Sequence, residues 1–357
     1  METVDTTFVI EKTTKSQIDK VNFNHLEFGN HLSDHMFTAV FSHGKWHDPI
    51  IKPYQNLSFS PAMLSLHYGQ SVFEGLKAFM NKDGNICIFR ADRHHQRMNR
   101  SLARMCMPEI PEEYFIQAIK SLVEVDKNWI PQTEGASLYI RPVMFATEAR
   151  LGVKISEQYL LVILTSPVGP YFSKPLRLKV EEEYVRAAEG GTGFVKCAGN
   201  YGGVFYPTQK AKEEGFDQVI WTDARDHQYI DEAGVMNAMF IINGKLVTPV
   251  LTSSLLDGVT RDSILTLARE MGKTVEERKV SVQEVMEGIS KGTLIEAFGT
   301  GTAAVVSPIA IINIHGSDYH LPPINENSFQ MRVKQKLNNI RMGIEPDQHG
   351  WNIILPG

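Results

Sequence analysis

Apolar positions along the chain follow two rhythms, one of strands and one of amphipathic helices. "HMFTAVF" with "SHGKW" after it reads as a strand and turn, and "NICIFR" as a strand leaving the "NKDG" turn. "ADRHHQRMNRSLARMCMP" predicts a helix with Met98, Leu102 and Met105 on one face, Asp92 as N-cap and Pro108 beyond its end. "EEYFIQAIKSLVEVD" has helical apolar spacing as well, and "SLYIRPVMFA" and "YLLVILTSPVG" read as two further strands. Around "SPVGPYFSKP" the periodicity breaks at prolines and a glycine, which predicts a linker. Beyond it come the strand "DQVIWTD", the hairpin "AMFIINGKLVTPV" turning at Asn243-Gly244, and the helix "TRDSILTLAREMG". In that helix Ile264, Leu265, Leu267, Ala268 and Met271 form the buried side, with Gly272 suited to the C-terminal cap. Strands outweigh regular βαβ alternation, so both halves read as α+β. The expected domains are a small N-terminal one over 1–167, a linker over 168–176 and a larger C-terminal one over 177–357.

A chain of 357 residues is long enough to split into two cores. Its 43% hydrophobic and 22% charged residues are ordinary for a globular protein, and a net charge of −5 gives no electrostatic ground for nucleic acid or an anionic membrane as partner. A small metabolite is the expected ligand. The opening "METVDTTFVIEKTTK" lacks an apolar core behind a basic flank, and no apolar run is long enough to span a bilayer, so a cytoplasmic protein is expected. Cys87, Cys106 and Cys197 lie far apart with no CxxC pair, which argues against a disulfide scaffold or zinc knuckle. Cys197 reads as a small filler, and His94-His95 and His31 with His35 as packing or surface residues, so no metal is expected.

Four features suit a phosphate or a carbonyl substrate. "LLDGVTRDSIL" puts Gly258, Val259 and Thr260 at a helix entry, where free amides and the helix dipole attract an anion. "IEAFGTGTAA" ends an apolar strand in a turn of amides and hydroxyls. Arg93, Arg97, Arg100 and Arg104 recur at near-helical spacing; most of such a face is solvated, yet one inward arginine would grip a phosphate through its planar fork. In "GGTGFVKCAGNYGG" a lysine, Lys196, stands between two glycine clusters. Lysine forms Schiff bases with carbonyl compounds, while an exposed turn lysine is the plainer alternative.

Taken together, "FVKCAGNYGG", "DEAGVMN", "LLDGVTRDSIL" and "FGTGTAAVVSP" resemble the branched-chain amino-acid aminotransferases, fold-type IV pyridoxal 5'-phosphate (PLP) enzymes. The likeness extends through "LEFGNHLSDHM", "LHYGQSVFEGLKAF", "LYIRPV" and "SPVGPYF", from about residue 23 to the C-terminal end. The resemblance implies a two-domain architecture with the cofactor between the domains and Lys196 carrying PLP as an internal aldimine. It implies that Arg97, the Val259 and Thr260 amides and Thr302 hold the phosphate, that Glu232 meets the pyridine nitrogen, and that Tyr201 lies near the 3-oxygen. Phe28, Tyr68, Phe73, Tyr139 and Tyr171 match positions lining the substrate pocket, Arg141 matches the arginine that meets the glutamate side-chain carboxylate, and Ala303 and Ala304 offer backbone donors. Val153 matches a loop position that reaches the neighbouring subunit, which implies a homodimer. The activity implied is ping-pong transamination between L-leucine, L-isoleucine or L-valine and 2-oxoglutarate, giving branched-chain 2-oxo acids and L-glutamate. A D-amino-acid aminotransferase or an aminodeoxychorismate lyase would keep the fold and cofactor. A Schiff-base aldolase or a phosphate-metabolite binding protein would need no PLP. Two departures stand out: "AAVVSP" lacks the CxxC of some members, and Val235 occupies a place where others have threonine.

Overall fold

The computed structural model describes residues 8–172 and 174–357; the first seven residues, part of the segment read for a leader, and position 173, inside the expected linker, lie outside the described residues. The chain divides into two compact units, Met1–Tyr171 with Lys196–Gly199 and Ile340–Gly357, and Phe172–Val195 with Asn200–Asn339.

The first unit is built on a nine-stranded sheet. Its centre is the antiparallel pair Ser137–Ala146 and Tyr159–Val168, joined on one side by His35–Ser42 and on the other by Leu76–Met80. Nearly every residue of Tyr159–Val168 is buried, which is why its sequence reads as a continuous apolar run rather than an alternation. Helix Ala91–Arg104 buries Ala91, His94, His95, Arg97, Met98, Ser101 and Leu102, an i, i+3, i+4, i+7 stripe, and helix Glu112–Val125 contacts it. Asp92 is not the N-cap. Arg90 holds that place with φ 53 and no side-chain cap, and Asp92 sits exposed in the first turn, where its charge still favours the helix N-terminus. The helix stops at Arg104, so Met105 lies just past the helical face expected to include it.

Periodicity finds a strand but not its partner. Asn352–Leu355 pairs antiparallel with Ile86–Phe89, so the C-terminal end groups with the first half of the chain, as do Lys196–Gly199. A single cut at 168–176 captures neither segment.

In the second unit, strands Ile230–Ala233, Gln218–Thr222, Leu176–Val180, Val305–Ile314, Leu294–Gly301 and Met236–Ile242 pair in that order, and the last pairs back with the first. The closed ring leaves no free edge among these strands and encloses a core of Leu178, Ile220, Phe240, Ala297 and Ile312. Closure depends on the tight turn at Gly234-Val235, where Gly234 has φ 60. The Asn243-Gly244 hairpin has φ 50 and 77 at its two central residues, the left-handed pair a two-residue turn requires. Helix Val259–Glu270 ends with Gly272 at φ 75, Gly272 N–H donating to Arg269 O (3.0 Å) and Lys273 N–H to Ala268 O (2.9 Å), so these two carbonyls of its last turn are satisfied.

Candidate functional site

In the first unit the backbone of Lys196 is pinned on both sides. Phe73 N–H donates to Lys196 O (3.1 Å), Ala198 N–H to Ser71 O (2.9 Å), and Val72 faces Cys197 across an antiparallel bridge. The lysine segment thus lies alongside strand Ser71–Phe73, which itself pairs with Ser137–Ala146. A third tie comes from Lys196 N–H to Ser101 Oγ at 2.9 Å. The half-buried side chain places Nζ 4.7 Å from the Phe73 ring centroid. Cys197, 2% exposed, fills space beside it.

Phe73 also carries the Arg141 guanidinium, whose central carbon stands 4.7 Å from that ring and 5.1 Å from Tyr139. Tyr139 and Arg141 are two apart on one strand, hence on one face, and Arg141 donates to the Tyr139 hydroxyl at 2.8 Å. Phe28 meets Tyr139 edge-on at 4.8 Å and Tyr171 at 5.2 Å. Phe28, Phe73, Tyr139, Arg141, Tyr171 and Lys196 therefore form one connected cluster. Gly75 makes room for it: a Cβ there would fall 1.9 Å from the Tyr139 hydroxyl oxygen. Tyr68 is tied instead to a loop, donating to the Leu151 carbonyl, and Val153 on that loop is 81% exposed.

Among the four helix arginines, Arg97 alone is fully inward. Its Nε and one terminal nitrogen donate to the two oxygens of Glu74 at 2.6 and 2.9 Å. Glu74, wholly buried, also accepts from Gly75 N–H (3.0 Å) and from His94 Nδ1 (2.8 Å). Burial alone would raise the Glu74 carboxyl, but the Arg97 charge and the bonds from Arg97 and His94 outweigh it and hold the group well below the usual carboxylate range. Burial pushes His94 below its ordinary value despite Glu74, so its contact with Glu74 is a hydrogen bond from a neutral ring rather than an ion pair. Glu74, Gly75 and Ser101 are not anticipated from sequence. The one signal is a carboxylate inside the apolar run "SVFEGLKAF", where a buried charge demands a partner.

The second unit holds the other residues. Glu232, 3% exposed, accepts Leu256 N–H at 2.8 Å through Oε1 and lies 3.3 Å from Arg186 Nε through Oε2. Arg186 in turn donates to the Ser254 and Gly193 carbonyls. Arg186, Tyr201, Glu232 and Val235 line one small cavity. Crowding explains one glycine before the lysine: a Cβ at Gly193 would come within 2.5 Å of both Ala187 Cβ and Ser254 O. Asn200 braces the same loop, donating to Thr192 O (2.8 Å) and Val195 O (2.9 Å). Helix Val259–Glu270 begins behind Gly258 with no side-chain cap, so its first amides, at buried Val259 and Thr260, have no partner within the helix. A Cβ at Gly258 would overlap Asn237 Oδ1 at 2.0 Å.

Thr302, Ala303 and Ala304 form the turn of the hairpin that pairs Gly301 with Val305. Thr300 Oγ1, buried beside the turn, has no hydrogen-bond partner among the described residues. Val235, 48% exposed, stands at the turn that closes the ring. Asp231, next to Glu232, is pushed up to about 6, chiefly by burial and against the Ser254 hydroxyl and Arg186. Arg186, Asn200 and Asp231 carry no sequence signal beyond their position near a glycine-rich or acidic run. Among the described residues there is no group of three or more His, Cys, Asp or Glu able to hold a metal, and no helix long and apolar enough to cross a membrane.

The class IV amino-transferase family model matches residues 71–312. A probable branched-chain-amino-acid aminotransferase of Staphylococcus aureus strain N315 is 44% identical over 346 residues, covering 94% of this chain and 95% of that protein. Branched-chain-amino-acid aminotransferase 2 of Bacillus subtilis strain 168 is 44% identical over 342 residues, covering 95% and 94%. Among solved structures, the Escherichia coli branched-chain amino acid aminotransferase superposes with TM-score 0.73 at 25% identity over 89% of this chain and 98% of that one. The enzyme of Thermoproteus uzoniensis, solved with norvaline, gives 0.74 at 23% identity over 90% and 99% and shares the fold. With a family model over most of its length and relatives of this identity along nearly all of it, the chain belongs to the class IV aminotransferases and, within them, to the branched-chain-amino-acid aminotransferases.

Proposed function

We propose that the protein exchanges amino groups between L-leucine, L-isoleucine or L-valine and 2-oxoglutarate, with PLP as cofactor. The observation that carries this reading is the cluster in which Lys196 Nζ shares the Phe73 ring with the Arg141–Tyr139 pair. A reactive amine, apolar ring surface and a charged fork stand together there, which suits a substrate that is aliphatic in one half-reaction and a dicarboxylate in the other.

The donor chemistry fits PLP. The phosphate needs amides and a cation, and the uncapped amides of Val259 and Thr260, the Thr302 hydroxyl and Arg97 would supply them. The buried Thr300 hydroxyl without a partner marks a polar group beside that turn. Glu232, aligned by Leu256 N–H and Arg186, would keep the ring nitrogen protonated, and Tyr201 would bond the 3-oxygen. When bound, PLP supplies an electron-withdrawing ring that spreads the charge left when the substrate loses its α-proton. Lys196 would hold the cofactor covalently; once displaced by the substrate amine, its freed Nζ would take the α-proton and return it to the cofactor carbon on the far side of the substrate nitrogen. Phe28, Tyr68 and Tyr171 would frame the side chain, Val153 would reach the neighbouring subunit's pocket, Arg141 would bind the distal carboxylate, and the Ala303 and Ala304 amides the α-carboxylate. We place the working enzyme in the cytoplasm on the family likeness, and as a homodimer on that likeness and the exposure of Val153.

Visible absorbance of the purified protein before and after L-leucine tests the reading. A yellow protein bleached by L-leucine is expected. A colourless protein that binds no PLP, or one discharged by D-alanine and not by L-leucine, overturns it.

A further inference from the structure

Ser101 is wholly buried in the last turns of helix Ala91–Arg104. Its hydroxyl makes two hydrogen bonds, one to Arg97 O at 2.9 Å and one with Lys196 N–H at 2.9 Å. The directions are fixed by chemistry. A carbonyl cannot donate, so the single hydroxyl proton goes to Arg97, and an oxygen lone pair receives the lysine amide. One side chain thus joins the main chain of the lysine to the main chain of the arginine four residues earlier on the helix.

The link closes a ring. From Lys196 it passes through Ser101 to Arg97, from the Arg97 guanidinium to Glu74, along the chain to Phe73, and back through Phe73 N–H to Lys196 O. Every member lies in the first unit. Helix propensity alone would favour alanine at this place, and a serine that bonds back to its own helix adds little to the helix. Alanine would instead leave the Lys196 amide without its acceptor.

We propose that Ser101 is a positioning residue for transamination, setting the distance between the main chain of Lys196 and that of Arg97. The proposal rests on the reading of Lys196 and Arg97 as the covalent tether and a phosphate anchor. PLP is rigid, so a protein that grips it at both ends must hold those ends at one spacing; misplacement of about 1 Å costs on the order of a hundredfold in rate. Serine's role is to make that spacing independent of thermal play in the loop.

The experiment uses the full-length holoenzyme with Ser101→Ala and Ser101→Thr, and Ser101→Cys in place of alanine should that variant fail to fold. Three quantities are read: the single-turnover rate with L-leucine, the PLP dissociation constant, and the melting temperature of the PLP-free protein. Borohydride reduction and peptide mapping locate the labelled lysine in each. We expect Ser101→Ala to slow single turnover and weaken PLP by at least about tenfold each, as loss of a buried bond to an amide permits, with Lys196 still labelled and threonine restoring both. Unchanged rate and affinity would overturn the proposal. So would losses that follow the apoprotein melting temperature alone and are not restored by threonine. Label on a different lysine in the unsubstituted protein would instead refute the tether reading on which the proposal stands.

Discussion

Arg141→Gln should split the two half-reactions. The guanidinium makes two kinds of contact: a hydrogen-bonding face that meets the Tyr139 hydroxyl at 2.8 Å, and a flat face against Phe73 and Tyr139. A distal carboxylate bound to this fork forms charge-assisted hydrogen bonds, worth about 1.5 to 3 kcal/mol, so their loss lowers kcat/KM for 2-oxoglutarate by about tenfold to about 150-fold. Leucine has no distal carboxylate and loses only the packing of the rings by the guanidinium. Stacking of this kind is worth about 0.5 to 1 kcal/mol, which limits the leucine penalty to about fivefold. Glutamine keeps much of the length and one donor, so the pocket need not collapse. Stopped-flow absorbance follows each half-reaction separately, with L-leucine against the PLP form and 2-oxoglutarate against the amine form. Equal losses in the two would refute the reasoning and make Arg141 a strut for Tyr139 rather than a selector. Arg141→Lys sharpens the comparison, since charge without the fork should recover only part of the 2-oxoglutarate rate.

The remaining predictions concern groups the structure shows to be crowded or charged and buried. Gly75→Ala should raise KM for 2-oxoglutarate several-fold, because its methyl would displace the Tyr139 hydroxyl from Arg141; an unchanged KM and an unchanged melting temperature would contradict the 1.9 Å overlap. Glu74→Gln leaves Arg97 a buried cation without its carboxylate and should destabilise the protein by about 3 to 5 kcal/mol in urea unfolding. The depressed Glu74 group contributes stability above its unfolded value of 4.5 and loses it as the pH falls, so the variant should show a shallower acid limb than the parent. Asp231 has the opposite sign: raised from 3.8 to about 6, it makes stability fall as pH climbs through that window and stay low above it. Asp231→Asn should abolish that fall and gain up to about 3 kcal/mol at pH 7.5; parallel pH–stability curves would show that Asp231 does not titrate there.

The parts of this architecture legible in sequence are those whose information is local. Tyr159–Val168 announces itself because both faces are buried, and the Asn243-Gly244 turn because few residue pairs accept two left-handed conformations. Arg97 is legible as one inward arginine of four, since helical spacing predicts a shared face even though it does not say which member turns in. What is not legible is pairing across distance. Asn352–Leu355 looks like any short apolar strand, and only the fold supplies Ile86–Phe89 as its neighbour. Glu74 illustrates the same limit in the chemistry. A carboxylate in an apolar run signals a missing partner, but the partner, Arg97, is 23 residues away on a helix. The motif likeness names Lys196 and leaves open why Gly193 precedes it and why Gly258 stands before helix Val259–Glu270. The answer is steric and nonlocal: Gly193 has Ala187 and Ser254 where a Cβ would be, and Gly258 has Asn237. A glycine that is required by φ can be guessed from turn rules, whereas one required by a neighbour's atoms cannot. Motif recognition therefore finds the residues proposed to meet the cofactor more readily than those that brace them, and Ser101, Glu74 and Asn200 belong to the second kind.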